Sequence, residues 1–429
     1  MTDSTTVTQR SADSSVDVSN PSSARIRLVV LFGGRSAEHD VSRVSAGHVM
    51  RAIDPARYDV VPVGITRDGD WQLAEAAAAM LSEGRAQELP ASIDVAGPAV
   101  SPTEIAADPA RPANQTGPAN ESHPNSQPSP GNAANQPSRA PTGQRTVVIP
   151  VLHGPNGEDG TIQGLLELAR LPYVGAGVLG SAVAMDKTMA KTVLDAHGIP
   201  QPRWRALSTA DLSTPGLAEQ LLDQLGPVLF IKPANMGSSI GVSRATDVDG
   251  VLAALEEAAR YDERFVVEEG IGTPDDRVRE LEVGVLGNLS PRASVVGEIV
   301  PAAEFYDYED KYADGAARTV IPAEIDESLQ THIQELAIRT FQALRAEGMA
   351  RVDVFLAPDA NSSTATGGHT TGTGRVLVNE INTLPGFTPI SMFPMLWRSS
   401  GLDYPQLIDE LIRLAIERHD RRSHFETGR

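Results

Sequence analysis

Two apolar runs in the C-terminal part of the chain, at 352–356 and 375–381, flank a stretch rich in threonine and glycine. This pattern predicts a β-hairpin with a long loop. Alternate residues of a strand share one face. The polar residues that alternate along these two strands are Arg351, Asp353, Glu380 and Asn382. If the strands pair, three oxygen-bearing side chains and one guanidinium meet on one surface, which is either a Mg²⁺ site or a solvated polar face.

The length and composition indicate a multidomain protein without disulfide bonds. The chain has 429 residues, enough for two or three domains with substantial cores. It contains no cysteine, which fits a cytoplasmic protein and excludes a cysteine metal site. Its formal net charge of −20 argues against a nucleic-acid-binding protein. The first residues lack the apolar segment of a signal peptide, and no apolar run reaches membrane-spanning length, so we expect no membrane segment.

Two segments have the composition of disordered chain. Residues 1–24 are rich in Ser, Thr and Asp without an apolar period, which is typical of a disordered tail. Residues 98–141 contain ten prolines among 44 residues, and Asn, Gln, Ser and Ala make up most of the rest. Such a composition buries too little apolar surface to offset its ordering entropy. We therefore predict a disordered insertion at 98–141 rather than a domain.

The remaining pattern of strands and helices predicts three domains. Residues 25–175 alternate strands and helices, which favours a small parallel-sheet α/β domain. Shorter strands around one helix at 176–271 indicate a central α+β domain. Residues 272–429 combine antiparallel strands, a long helix, the hairpin and two closing helices in a third domain. The segment 181–198 is predicted to be a single helix that ends before Pro200.

Three polar residues follow predicted strands at positions where a ligand can bind. Lys232 enters the loop PANMGSSIG, which is either a phosphate-binding loop or a mobile turn, and the P-loop pattern is absent from the chain. His153 either lines a ligand cleft or is a structural hydrogen-bond partner. Glu38 lies just past two glycines at a predicted helix start. There its carboxylate either holds a substrate ammonium or is a solvated group favoured by the helix dipole.

Two further segments offer a nucleotide contact or a lid. The strand FVVEE ends at Glu268 and Glu269, whose side chains point to opposite faces, so at most one of them faces a nucleotide. The backbone from Glu269 to Ile271 either binds adenine or is a solvated connector. The polar aromatic segment FYDYEDKY, 305–312, is either a lid that excludes water from the reaction or an edge strand.

One glycine motif points to a different cofactor. The run from Gly175 to Gly180 matches GxGxxG and precedes a helix. A dinucleotide-binding fold requires a longer strand before this motif and an acidic residue at the end of the next strand. The preceding LPYV is short, and Asp195 lies within a predicted helix. We therefore predict that this motif does not bind a dinucleotide.

Seven motifs in order resemble those of one enzyme family. They are LFGGRSAEHDVS, HGPNGEDGTIQGLLEL, MDKTMAK, IKPANMGSSIGV, FYDYEDKY, RVDVF and NEINTLPGFTPISMFP. This set resembles the D-alanine–D-alanine ligases of the ATP-grasp superfamily. The match covers most of the chain between about 25 and 415, apart from the insertion and the Thr/Gly loop after Leu356. The resemblance implies a three-domain fold of α/β and α+β domains that binds the nucleotide between the central and C-terminal domains.

The resemblance also implies a reaction for peptidoglycan precursor synthesis. ATP phosphorylates the carboxylate of one D-alanine, and the amine of a second D-alanine attacks the acyl phosphate. By motif, Glu38 holds the ammonium of the first D-alanine and His153 lies near its carboxylate. Ser391 receives the carboxylate of the second D-alanine. Arg351 and the N–H of Gly386 stabilise the tetrahedral oxyanion.

The remaining motif positions imply contacts with the nucleotide, the metal ions and the lid. The residues implied to bind ATP are Lys187, Lys232, Glu268, Glu269, Ile271, Glu280 and Lys311, with Glu280 at the ribose. The residues implied to bind two Mg²⁺ ions, or Mn²⁺, are Asp353, Glu380 and Asn382. Ser238 and Tyr312 are implied to link Glu38 to the lid. The segment before Glu280 is longer than the family pattern, so the ribose contact falls either to Glu280 or to Glu282.

Two other functions remain open. One differs only in the acceptor substrate, and the other is not enzymatic. The first alternative is that this protein makes D-alanyl-D-lactate or D-alanyl-D-serine, as some ligases that resemble this family do. Tyr312 favours D-alanine as the acceptor, because the ligases that use D-lactate resemble one another in lacking this lid tyrosine. The second alternative is a non-catalytic nucleotide sensor with the same fold. Such a sensor is expected to lack metal-binding residues, whereas Asp353, Glu380 and Asn382 are all present. The likeness further implies a homodimer in the cytoplasm.

Overall fold

The computed structural model describes residues 25–102, 105, 144–272, 278–301, 317–358 and 374–426. The predictions for the tail, for most of the insertion and for the lid segment with Lys311 and Tyr312 lie outside these residues. Within the described part, the strands form three β-sheets that follow one another along the chain. None of the described helices is both long and apolar enough to cross a bilayer.

The first sheet has the order β3-β2-β1-β4, and β1 is parallel to both of its neighbours. Its strands are β1 (Ile26–Gly33), β2 (Tyr58–Ile65), β3 (Trp71–Leu73) and β4 (Thr146–Val151). Its helices are α1 (His39–Ala52), α2 (Glu75–Ser82) and α3 (Thr161–Leu168), with a 3₁₀ helix at Ala86–Glu88. Residues on both faces of β1 are buried in separate apolar clusters, as expected for a parallel strand covered on both sides.

The second sheet is antiparallel and has the order β5-β8-β6-β7. Its strands are β5 (Trp204–Ser208), β6 (Leu229–Pro233), β7 (Ser243–Ala245) and β8 (Arg264–Glu269). Two helices cover one face, α6 (Leu217–Leu225) and α7 (Val248–Ala258), and a 3₁₀ helix lies at Thr209–Ser213. We call this sheet and its two helices the central unit.

The third sheet is antiparallel and has the order β11-β10-β9-β12-β13. Its strands are β9 (Arg279–Gly287), β10 (Arg292–Pro301), β11 (Ala317–Val320), β12 (Gly348–Pro358) and β13 (Gly374–Asn382). The helices that follow or precede them are α8 (Glu327–Ala343), α9 (Met392–Ser399) and α10 (Tyr404–Ser423). The predicted hairpin is thus formed by β12 and β13.

The helix predicted at 181–198 is divided in two. The observed elements are α4 (Val178–Met185) and α5 (Lys187–Ala196), separated by Asp186. Asp186 has an extended backbone and accepts hydrogen bonds from the N–H groups of Thr188 and Met189, so it is the N-cap of α5. Both helices contribute to the apolar core of the third sheet.

Residues 98–102 and 105, which were predicted to be disordered, are among the described residues. The N–H of Leu73 donates to Pro98 O and the N–H of Val100 donates to Trp71 O, so this segment extends the edge of the first sheet. Ile105 is only 1% exposed. The composition of the whole segment concealed these apolar positions, and the predicted start at 98 is therefore wrong.

The C-terminal helix packs on the first sheet, far from it in sequence. Leu407 and Leu411 of α10 lie in the same apolar cluster as Leu28 and Val30 of β1. Polar contacts surround this core, including the hydrogen bond from Tyr58 Oη to Asp409 Oδ1 at 2.8 Å. The first and third domains are therefore joined by a continuous apolar core, which we call the apolar joint.

Candidate active site

A β-bulge places the polar residues of the hairpin on one face. Asp353 pairs with Glu380 but Val354 pairs with Val378, so Asn379 has no paired residue across the ladder. Without this extra residue Val378 and Glu380 would share a face. Instead Val378 is fully buried in the core of the third sheet, while Glu380 acts electrostatically on Lys187 and Lys232. The bulge thus turns Glu380 towards the central unit.

The predicted meeting of a guanidinium with oxygen ligands is present. Arg351 Nε and Nη2 donate to the two oxygens of Asp353, each at 2.7 Å. Asn382, opposite Arg351 in the ladder, donates its amide to Asp353 Oδ2 at 3.1 Å. Glu282 lies across from Asp353 on β9, and its Oε2 is 3.0 Å from Arg351 Nε. Glu282 thereby belongs to this ion cluster, which leaves Glu280 as the better candidate for a nucleotide contact.

The donor set of this face fits a magnesium ion that is held together with phosphate. Within the described ranges, no group of three or more acidic, His or Cys side chains forms a closed metal cage. Mg²⁺ is commonly bound by one or two carboxylates together with phosphate oxygens and water. Asp353, Glu380 and Asn382 supply two carboxylates and one amide oxygen, so the residues present suit this mode of binding.

Two lysines, Lys187 and Lys232, lie near the hairpin of β12 and β13. Lys187 begins α5 and donates to Met236 O at 2.5 Å. Lys232, in β6, donates to Glu268 Oε2 at 3.0 Å and to Asn379 Oδ1 at 3.4 Å, so it reaches the bulge. Burial lowers the pKa of Lys187. Burial also lowers the pKa of Lys232, but the carboxylates of Glu268, Glu380 and Glu280 together outweigh it and raise that pKa above its usual value.

The adjacent acidic residues at the end of β8 do face opposite sides. Glu268 is 3% exposed and lies between Lys191 and Lys232. Glu269 pairs instead with Arg203, its Oε2 lying 2.6 Å from Arg203 Nε. The side chain of Glu269 is therefore directed away from the lysines.

The loop after β6 contacts the first domain. Ser238 Oγ donates to Glu38 Oε1 at 2.6 Å. Ser238 and Ser239 both have positive φ, 51° and 59°, a strained conformation that the surrounding structure must stabilise. Glu38 is the N-cap residue of α1 but makes no side-chain capping hydrogen bond there. Its carboxylate thus points to the central unit instead of capping its own helix.

Glu38 is closely surrounded by glycine backbone. Gly154 has φ +72°, and a Cβ placed on it would lie 3.1 Å from Glu38 Oε2. A Cβ on Gly237 would lie 3.5 Å from the same oxygen. A cavity of about 200 Å³ opens beside Glu38 and is lined by Arg35, Ser36, Asn156, Met236 and Ile240 among others. A small ammonium-bearing molecule therefore fits against this carboxylate.

His153 links the first domain to the segment after the hairpin. Its Nδ1–H donates to Leu384 O at 3.2 Å, and Glu158 Oε1 lies 3.8 Å from the same nitrogen. Burial lowers the pKa of His153, but the carboxylates of Glu158 and Glu38 outweigh it and raise that pKa. Nε2 is buried without a hydrogen-bond partner among the described residues. The imidazole is therefore held in one orientation with one nitrogen left for a ligand.

Sequence reasoning missed Glu158 as well as Asn379. Glu158 lies in the same motif as His153, and burial raises its pKa. The spacing in HGPNGEDG was the available signal, because a carboxylate five residues after a histidine in a tight loop can fold back onto it. The backbone N–H of Glu158 donates to Gly154 O at 3.0 Å and closes this turn.

Ser391 and Gly386 lie together before α9. Ser391 is the N-cap residue of α9, and its Oγ accepts from the N–H of Thr388 at 3.1 Å. A Cβ on Gly386 would lie 3.2 Å from Ser391 Oγ, so the two residues are in close proximity. The N-terminus of α9 and these N–H groups suit a carboxylate or an oxyanion.

The GxGxxG motif is explained by close packing. Gly175 has φ +97°, and a Cβ on it would come within 2.9 Å of Leu384 Cδ2. A Cβ on Gly180 would lie 2.6 Å from Arg345 O. Both glycines thus allow α4 and its entry loop to approach the third domain.

Comparison with known proteins agrees with this arrangement. The family model of the D-ala D-ala ligase N-terminus matches residues 27–176, and that of the D-ala D-ala ligase C-terminus matches residues 193–413. The chain is 41% identical over 397 residues to the D-alanine–D-alanine ligase of Bacillus cytotoxicus, covering 92% of this chain and 97% of that protein. It is 42% identical over 397 residues to that of Geobacillus kaustophilus, covering 92% and 96%.

Solved structures give the same result. The D-alanine–D-alanine ligase from Coxiella burnetii superimposes with a TM-score of 0.67 at 34% identity, covering 93% of this chain and 97% of that one. The VanG D-Ala:D-Ser ligase from Enterococcus faecalis superimposes with a TM-score of 0.68 at 30% identity, covering 91% and 100%. The fold is the three-domain ATP-grasp fold predicted from the motifs. The chain belongs to the D-alanine–D-alanine ligase family.

Proposed function

We propose that this protein joins two molecules of D-alanine to D-alanyl-D-alanine, with ATP converted to ADP and phosphate, for peptidoglycan precursor synthesis. The contact between Ser238 and Glu38 supports this proposal most directly, because it brings the phosphate-side loop of the central unit to the carboxylate that suits an ammonium. The γ-phosphoryl group moves to a carboxylate oxygen of the first D-alanine. The amine of the second then attacks the acyl carbon, loses a proton and displaces phosphate.

The first D-alanine binds between the two outer domains. Glu38 holds its ammonium, and His153, oriented by Leu384 O, lies near its carboxylate. Arg351 and the N–H of Gly386 stabilise the negative charge that develops on the acyl oxygen. Ser391 receives the carboxylate of the second D-alanine at the start of α9. The protein acts mainly by positioning the reactants and by stabilising charge.

The nucleotide binds between the central unit and the third sheet. Lys187 and Lys232 hold its phosphates, because both ammonium groups lie on the side of the cleft that faces Glu380. Glu280 contacts the ribose, since Glu282 is already engaged by Arg351. The adenine lies along the backbone of 269–271. Lys311 and Tyr312 belong to the segment outside the described residues. Lys311 keeps the phosphate contact implied by the motifs, and Tyr312 keeps the implied link to the lid.

Asp353, Glu380 and Asn382 hold two Mg²⁺ ions, with Mn²⁺ as a substitute. Metal ions held by these residues would supply positive charge next to the phosphate oxygens. Asp353 is oriented for this role by its two hydrogen bonds from Arg351.

The acceptor is tested by supplying D-alanine, D-serine and D-lactate separately with ATP and identifying the products. We expect D-alanyl-D-alanine at neutral pH, in line with the higher identity to the D-alanine–D-alanine ligases. The structural likeness to a D-Ala:D-Ser ligase makes D-serine the second candidate. Preferred use of D-serine or D-lactate would reject the D-alanine assignment. ADP release that does not depend on any D-amino acid would favour a nucleotide sensor instead.

The same proposal includes the setting of the enzyme. We infer that it works in the cytoplasm, where ATP and D-alanine are available, and as a homodimer. Sedimentation of the purified protein would test the oligomeric state, and a monomer across micromolar concentrations would contradict it.

A further inference from the structure

A buried ion cluster lies where α5 meets the second sheet. Lys191 Nζ is 3.3 Å from Glu268 Oε1, and Lys232 Nζ is 3.0 Å from Glu268 Oε2. The side chains of Lys191 and Glu268 are each 4% exposed, and that of Lys232 is 14% exposed. One carboxylate is therefore shared by two ammonium groups. Burial lowers the pKa of Lys191, and the Glu268 carboxylate opposes that shift.

Lysine is rare in this chain, so the presence of a lysine at position 191 calls for an explanation. The 36 Lys and Arg residues include only four lysines, at 187, 191, 232 and 311. Three of them have phosphate roles in the proposed function, and Lys191 has none. Arginine serves at nearly all other cationic positions, so a lysine here indicates a need for a compact ammonium in a confined space.

The charge of Glu268 determines what Lys232 can do. Burial raises the pKa of Glu268, but Lys191 and Lys232 outweigh it and lower that pKa to about 2, so the carboxylate is ionised at neutral pH. Paired with Glu268 alone, Lys232 would form a neutral pair and attract phosphate weakly. The second ammonium, from Lys191, compensates the carboxylate. Each oxygen of Glu268 faces an ammonium, one from Lys191 and one from Lys232.

We propose that Lys191 is a positioning residue that neutralises Glu268 and leaves the charge of Lys232 available to the triphosphate of ATP. This inference rests on the proposed function. It adds an indirect role for Glu268, through Lys232, to the nucleotide contact implied by the motifs.

The test compares single and double variants that change the charge of this cluster. For each variant, KM is measured for ATP and for D-alanine. In Lys191→Met we expect KM for ATP to rise on the order of ten-fold, with KM for D-alanine unchanged, since one buried positive charge is lost. Adding Glu268→Gln to that variant restores the net charge, and we expect KM for ATP to return to within about three-fold of the wild type. Arg260→Met removes an exposed cation of the same unit, paired with Glu257, and serves as the control for charge alone.

An unchanged KM for ATP in a folded Lys191→Met protein would overturn the inference. A double variant no better than Lys191→Met would also overturn it, because a purely structural lysine predicts no rescue. Wild-type protein assayed in parallel for D-alanine-dependent ADP release tests the proposed function separately, so the two failures are distinguishable.

A second measurement needs no variant, in case Lys191→Met does not fold. Lysine labelled with ¹³C at the ε carbon gives at most four side-chain signals by NMR, because the chain has four lysines. On addition of Mg²⁺ and a non-hydrolysable ATP analogue, we expect at least one signal to stay in place, that of Lys191. Movement of all four signals would indicate that Lys191 contacts the nucleotide directly and would overturn the inference.

Discussion

The apolar joint and the cleft beside the central unit hold the molecule together in different ways. At the apolar joint, side chains of β1 and α10 share one core. The core of the central unit, in the part of the chain that the structure describes, draws its members only from residues between 207 and 267. Its contacts with the other domains include polar ones, such as Ser238 with Glu38 and Lys232 with Asn379.

This difference separates stability from chemistry. Apolar burial contributes stability without selecting a ligand, whereas hydrogen bonds and ion pairs across a cleft can be exchanged for contacts with substrate. Substitutions at the apolar joint should therefore lower the stability of a protein that remains active when folded. Substitutions in the cleft should lower activity in a protein that remains stable.

The largest expected effect is on the chemical step. Glu380→Ala removes a proposed metal carboxylate and should lower turnover by roughly 10³ or more, with little change in the melting temperature. ADP release and thermal unfolding measure the two quantities. Glu219→Ala, at an exposed position of α6, is the matched control and should retain full activity. Near-normal turnover in Glu380→Ala would show that the metal site is misassigned.

The apolar joint should respond in the opposite way. Leu411 is 3% exposed in α10, and Leu411→Ala should lower the free energy of unfolding by about 2–5 kcal/mol because it leaves a cavity. Turnover per folded molecule should stay within about two-fold. Urea unfolding gives the stability, and Leu252→Ala, at a position that is 45% exposed, is the control. If Leu411→Ala lowered turnover without lowering stability, the apolar joint would not differ from the cleft in the way proposed.

A smaller effect is expected at the contact between Ser238 and Glu38. Ser238→Ala removes a hydrogen bond to a charged group, which corresponds to about 1.5–3 kcal/mol, so kcat/KM for D-alanine should fall by roughly 10–100-fold. Ser239→Ala tests whether the strained backbone alone is responsible, because Ser239 has a similar φ of 59°. Equal losses in both variants would attribute the effect to the loop and not to the hydrogen bond.

The smallest effect is expected from the insertion. Replacing residues 106–141 by a short Gly/Ser linker should leave activity within about three-fold and the melting temperature unchanged, since loop closure depends only weakly on length. Replacing 98–141 should lower the melting temperature, because it also removes Ile105 from the core. If both deletions behave alike, the segment 98–105 contributes nothing to stability.

The sequence predicted the outline of the fold and the family, and both are confirmed. Local patterns suffice for the hairpin of β12 and β13 and for the parallel strands β1, β2 and β4 of the first sheet, since strand period and glycine turns are properties of short segments. The antiparallel edge strand β3 was not predicted. The site roles stay predictions, although Glu38, Ser238, Arg351 and Asp353 are brought into contact as pairs.

What the sequence did not reveal depends on contacts between distant segments or on one backbone angle. The bulge at Asn379 reverses which residues of β13 face the core, and a strict period of two does not predict it. The packing of α10 against α1 and β4 joins the end of the described chain to its beginning. Asp186 is a residue type that often caps a helix. Because the residues on both sides of it favour helix, the sequence predicted one continuous helix instead of two.

The position of α10 has a consequence for synthesis of the protein. Leu28 and Val30 emerge early from the ribosome, but Leu407 and Leu411, which belong to the same core, emerge among the last residues. Until then the core on one face of the first sheet lacks the side chains of α10, while the central unit already has all the side chains of its own core. A nascent chain stalled shortly before Leu407 should therefore protect the central unit from proteases sooner than the sheet that was translated before it.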